Sequence, residues 1–187
     1  MNNIFFTGDE VENIDRLVKR DGKVAIWEWA PGLISDVGLG VENVRELTGI
    51  NVGCEKVEGH AHVDIVNYDH PITKGLPLGH CFGPEVSRWH MTMFKESGFI
   101  EDDPSHRVGP LLYSSDPETI PLGVLGSIGK TGFCVKQFRD WTSIFIATPF
   151  ASKDVLRNIS TFAGVHQYTN AGDLVYTNKH FLSICPR

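Results

Sequence analysis

The run Lys23-Val-Ala-Ile-Trp-Glu-Trp-Ala-Pro-Gly32 constrains this chain more than any other stretch. Its unbroken series of β-branched, small and aromatic residues reads as a buried strand, and Pro31-Gly32 cannot prolong a ladder. A helical pattern lies on each side of it. Strand between helices predicts an α/β domain, and such domains hold ligands at the carboxyl ends of their strands. Glu28, Trp29 and the loop 30–40 therefore occupy the most informative position. No complete catalytic motif appears anywhere in the sequence.

Upstream, Asn3-Ile-Phe-Phe6 reads as a short strand. Thr7-Gly-Asp-Glu10 has capping-box spacing, and Val11, Ile14, Leu17 and Val18 form one helical face that Gly22 closes. A β-α-β unit of this kind is expected to be right-handed and parallel. Downstream, Val41, Val44 and Leu47 make a second helical stripe ended by Gly49, and Val63–Val66 reads as a strand. From 78 to 110 periodicity fails apart from a strand near Arg88–Phe94, which suggests a functional loop or a contact surface. Three later strand signals, 121–126, 133–138 and 142–147, are joined by loops so short that hairpins are favoured. Ser152 caps a last helix carrying Val155, Leu156, Ile159, Phe162 and Ala163 on one face. The tail 165–187 reads as a hairpin turning at Asn178-Lys-His180.

The length of 187 residues supports one domain, 1–187, with 41% apolar and 21% charged residues, an ordinary globular balance. A net charge of −6 without any basic stripe argues against a nucleic-acid partner. No run approaches transmembrane length, so no membrane partner is expected, and the first residues lack the pattern of a signal peptide. The spacing of Cys54, Cys81, Cys134 and Cys185 fits no zinc motif, and free, mostly buried thiols are expected.

Candidate sites follow from chemistry. Glu28 lies between Trp27 and Trp29, where a raised pKa would suit a general acid. Asp36 is its local carboxylate partner, and the alternative is that Glu28 caps N–H groups of the following loop. Trp29 and Trp89 offer stacking faces for a sugar. His60-Ala-His62 would set two imidazoles on one strand face for a metal, with His80, His90 and Asp64 nearby in sequence. Cys54 lacks the glycine-rich elbow of a cysteine nucleophile, and Cys81, more suggestive in Gly79-His-Cys-Phe-Gly83, lies in the irregular region with no strand leading into it. Gly126-Ser-Ile-Gly-Lys-Thr131 has the wrong spacing for a phosphate loop and reads as a turn.

Several segments together form a familiar series: Leu17-Val-Lys-Arg-Asp-Gly-Lys23 running into Trp29-Ala-Pro-Gly32, Val41-Glu-Asn-Val-Arg-Glu-Leu-Thr-Gly49, His70-Pro-Ile-Thr-Lys-Gly75, Asp140-Trp-Thr-Ser-Ile144, Leu156-Arg-Asn-Ile159 with Ala163-Gly-Val-His166, and Gly172-Asp-Leu-Val-Tyr-Thr-Asn178. In this order the chain resembles the non-catalytic, trimerisation-type α/β domain of bacterial β-galactosidase-like glycoside hydrolases. The resemblance implies a flavodoxin-like, class I glutamine amidotransferase-like three-layer sandwich, mainly parallel with added antiparallel hairpins. It implies that the catalytic carboxylates lie on a separate barrel, so no catalytic residue, metal or cofactor is carried over. The direct opening in a strand and the ending at Cys185-Pro-Arg187 suggest a domain cut from a longer polypeptide.

The expected function is an accessory domain that contacts other domains or copies of itself through 78–110 and the loop 30–40, and by itself hydrolyses nothing. Two alternatives stand beside it. One is a small hydrolase using Glu28 or a His60/His62 metal site; the other is a carbohydrate-binding module using Trp29 and Trp89.

Overall fold

The structure is a computed structural model that describes residues 1, 3–55, 59–83, 107–108, 110–149, 151–169 and 173–186. In chain order its elements are β1 (Phe5–Phe6), α1 (Gly8–Leu17), β2 (Lys23–Glu28), β3 (Ile34–Ser35), β4 (Gly38–Leu39), α2 (Val41–Thr48), β5 (Val52–Glu55), β6 (Gly59–His60) and β7 (Val63–Ile65). There follow β8 (Cys81–Phe82), β9 (Arg107–Val108), β10 (Leu111–Ser114), β11 (Ile120–Leu125), β12 (Thr131–Gln137), β13 (Trp141–Ile146), α3 (Lys153–Phe162), β14 (Leu174–Thr177) and β15 (Leu182–Cys185).

Turn length decides the main sheet. Residues 126–130 join β11 to β12, and 138–140 join β12 to β13; connections this short permit only antiparallel neighbours, because a parallel pair needs a crossover of a dozen residues or more. The six-stranded sheet accordingly runs β2-β13-β12-β11-β7-β8. Among the described pairings only β2 with β13 and β1 with β3 are parallel. All the others are antiparallel. This corrects the α/β expectation. The molecule is mostly β, with three helices among the described residues, and not a flavodoxin-like or glutamine amidotransferase-like three-layer sandwich. The hairpins expected as additions to a parallel sheet make up most of the sheet.

At the start of the chain the expected parallel β-α-β unit is met only in part, since β1 pairs with β3 and lies in a different sheet from β2. Met1 donates to Ile26 O and accepts from Glu28 N, so the first residues run alongside β2 in the same sense. Thr7 and Glu10 form the capping box of α1. That helix stops earlier than its pattern suggests: its cap is Val18, while Asp21 and Gly22 take positive φ in the turn that follows. Helices α1 and α3 keep their expected inner faces only in part, since Leu17 and Leu156 are exposed whereas Ile14, Val155 and Ile159 are buried.

Strand β13 forms the centre of the core. All six of its residues are buried, between β2 and β12. Full burial of aliphatic and aromatic side chains such as Ile144, Phe145 and Ile146 is worth about 1.5–3 kcal/mol each. The hydroxyl of its fully buried Ser143 accepts the Trp27 indole N–H at 3.0 Å and donates to Thr48 O at 2.7 Å. The end of α2 is thereby tied to β2 and β13. Gly49 ends α2 at φ 71, and a Cβ there would lie 2.5 Å from the Phe138 ring, so both conformation and space require glycine.

Candidate functional site

The alternation of the main sheet gathers several strand ends at one rim. Glu28 and Ile146 end β2 and β13 in register, Thr131 opens β12, Leu125 ends β11, Val63 opens β7 and Phe82 ends β8. The described residues just beyond these ends meet there: Trp29, 147–149, 151–152, the turn 126–130, His62 and Gly83. This is the strand-end position that the sequence singles out, built from a mixed sheet instead of a parallel one.

Glu28 is half-buried, and its Oε1 accepts from Ala151 N at 3.4 Å. It does cap a backbone N–H, but of the loop after β13, not of the loop after β2. Trp29 takes a left-handed φ of 63, uncommon for a bulky residue, and its backbone N–H donates to Ile146 O at 2.7 Å. Its ring packs against the core with a buried indole N–H that has no hydrogen-bond partner among the described residues. Thr148, two residues past β13, is fully buried, and its hydroxyl likewise finds no partner among the described residues. Unsatisfied buried polar atoms are few in folded proteins, and two of them fall at this rim.

Asp36 takes a different role from the one its sequence position suggested. Its Oδ2 accepts from Gly8 N at 2.8 Å, fastening the β3–β4 turn to the first turn of α1. Trp89 and His90 lie outside the described residues. The backbone of His60 pairs with Arg107 in the small β6–β9 sheet, while His62 falls between β6 and β7, so the two histidines straddle a break between two sheets. His62 Nε2 lies 3.4 Å from Asp64 Oδ2. The turn glycine Gly126 lets this imidazole in, since a Cβ there would come within 1.8 Å of Nε2. Among the described residues no group of three or more His, Cys, Asp or Glu side chains is placed to hold a metal.

None of the four cysteines is in a disulfide. Cys81 and Cys185 are exposed, Cys54 is half-buried and Cys134 is buried, so fewer are interior than expected. Burial pushes the Cys134 thiol up to about 11, which keeps it protonated and unreactive. The segment 126–131 is the β11–β12 turn, as its spacing implied, and Lys130 reaches from it to Glu55 and over the Tyr113 ring. Trp141 packs flat on Phe138 at 4.5 Å, a packing role.

Two polar contacts have no local sequence signal. His80 Nε2 lies 3.0 Å from Ser152 Oγ, the hydroxyl that also caps α3 by accepting from Val155 N. Asp116 accepts from Lys136 Nζ at 2.8 Å and from the N–H groups of Asn51 and Glu118. Burial alone would raise the Asp116 pKa; the Lys136 ammonium and the two N–H groups outweigh it and hold the carboxyl below its ordinary value.

No family model matches the chain, and no curated protein matches it. A solved structure does. The crystal structure of the β-galactosidase from Rahnella sp. R3 superposes on 92% of this chain with a TM-score of 0.57 and 12% sequence identity. The fold resembles part of a β-galactosidase. The overlap takes in 24% of that chain, so this chain spans about a quarter of the length of its structural relative. At this identity the likeness is one of fold. Among the described residues no helix is long and apolar enough to cross a membrane.

Proposed function

We propose that this chain is an accessory domain of a β-galactosidase-like glycoside hydrolase, one that packs beside the other domains of such a polypeptide and associates with copies of itself. The observation that carries the reading is the overlap of nearly the whole chain with about a quarter of a β-galactosidase. The rim supports it: Glu28 is engaged by a backbone N–H and Asp36 by the start of α1, an arrangement unlike the facing carboxylates that glycoside cleavage requires.

The surface for association is the β14–β15 ribbon. Tyr176 and Phe181 are 63% and 61% exposed, and Leu174, Leu182 and Ile184 are also exposed. Both strands keep an unpaired edge among the described residues. The segment 174–185 carries only Lys179 as a charged side chain apart from His180, so two copies can meet there with little repulsion.

The test is turnover of a nitrophenyl β-galactoside by the purified chain. The accessory reading expects release no faster than in buffer. Turnover that disappears in Glu28→Gln would overturn it in favour of a small hydrolase.

A further inference from the structure

The segment 66–80 lies along α3 as a strap fastened at three points. At the N-terminus of the helix, His80 Nε2 meets Ser152 Oγ at 3.0 Å. Midway, Asn158 Nδ2 donates to Ile72 O at 3.0 Å and to Lys74 O at 3.2 Å. At the last residue of the helix, the His70 ring rests against Phe162 with centroids 5.6 Å apart. Under these fastenings Ile72, Thr73 and Leu76 are buried.

We propose that acid releases this strap from α3, with His70 as the trigger. His70 Nδ1 accepts the N–H of Ile72 at 3.2 Å, so the ring must be neutral with its proton on Nε2. A second proton would land on Nδ1 and set an N–H against an N–H at a residue with no exposed surface. The charged groups on the elements packed here are Asp69 and Lys74 on the strap and Lys153, Asp154 and Arg157 on α3, with His166 just beyond the helix. Asp154 and Arg157 pair with each other at 3.6 Å, and none of these groups forms an ion pair with His70. The carbonyl end of α3 favours an imidazolium, but burial prevails and lowers the His70 pKa from 6.5.

The sign follows from linkage. The released strap lets His70 return to its ordinary value, so it binds more protons than the closed strap. Closure is at full strength above pH 6.5 and weakens as the pH falls from there toward the closed-state value. Within that window the opening equilibrium rises by up to about tenfold per pH unit.

Amide hydrogen exchange on the whole chain, corrected for intrinsic rates, reads this directly. Protection at Ile72, Thr73 and Lys74 is expected to fall between pH 7.5 and 5.5. Asn offers its side-chain oxygen to the N–H two residues on and does not titrate, so His70→Asn is expected to keep the protection and lose its pH dependence. His80→Gln is expected to retain the wild-type dependence. Protection that does not change with pH in the wild type, or dependence that survives His70→Asn or vanishes in His80→Gln, overturns the proposal. So does an NMR titration of the wild-type His70 ring with its midpoint at or above 6.5, a test that needs no variant.

Discussion

Strand β13 and the β14–β15 ribbon use similar residues and end in opposite situations. Trp141–Ile146 is buried throughout, whereas Tyr176, Phe181 and Leu182, of the same apolar kind, face solvent. The difference lies in their neighbours. Strand β13 has a ladder partner on each side, and α2 reaches it through the Thr48–Ser143 hydrogen bond. Each strand of the ribbon has one partner among the described residues, and a two-stranded ribbon alone is marginal in water. Apolar sequence marks what burial would stabilise; the supply of partners decides whether burial occurs within the chain or awaits another surface.

Truncation should separate the two regions most widely. Phe145→Ala is expected to cost about 3–5 kcal/mol in urea unfolding, from lost transfer energy and an unfilled cavity. Leu182→Ala in the ribbon is expected to stay within about 0.5 kcal/mol for the isolated chain. Equal costs would show that the ribbon is as well packed as the core.

Ion pairs make the same contrast on a smaller scale. The Asp116 side chain is 1% exposed and that of Lys136 is 11% exposed; Asp116→Ala leaves the ammonium with the exposed Glu118 carboxylate alone and takes the acceptor from the Asn51 and Glu118 N–H groups, and is expected to cost about 1–3 kcal/mol. The Lys130–Glu55 pair is more than a third exposed on both sides, and Glu55→Gln is expected to cost below about 1 kcal/mol. Because Asp116 titrates lower in the folded chain, its contribution is present above the ordinary carboxylate value of 3.8 and fades as the pH falls through the folded value. Acid titrations of the wild type and Asp116→Asn should therefore diverge above 3.8 and converge below the folded value.

Ser143→Ala, which leaves the Trp27 N–H without its partner, is expected to cost about 1–3 kcal/mol, more than the exposed pair and less than Phe145→Ala. Thiol labelling needs no mutation. Cys81 and Cys185 should react quickly under native conditions, Cys54 more slowly, and Cys134 only on unfolding. Fast labelling of Cys134 would mean that the centre of the sheet opens readily.

Local signals in the sequence were legible and long-range ones were not. The Thr7–Glu10 capping box, the Gly49 cap, the Ser152 cap and the tail hairpin are each set by residues within a few positions, and each is present. The short turns at 126–130 and 138–140 were legible too, yet flanking helices led to a parallel α/β reading that those turns forbid. The prominence of Glu28 and Trp29 could be read from one strand end. The company they keep could not, because Ala151, Thr148 and Ile146 arrive from more than a hundred residues away. His80 with Ser152, 72 residues apart, and Asp116 with Lys136, 20 residues apart, belong to different elements and likewise leave no mark of spacing in the sequence.

Sedimentation velocity over a range of concentrations, comparing the wild type with Phe181→Glu, tests most directly the claim that the exposed ribbon is a docking surface. We expect the wild type to associate reversibly and the variant to remain a 20.8 kDa monomer. Two chains that both sediment as monomers at every concentration, or that associate equally, would contradict it.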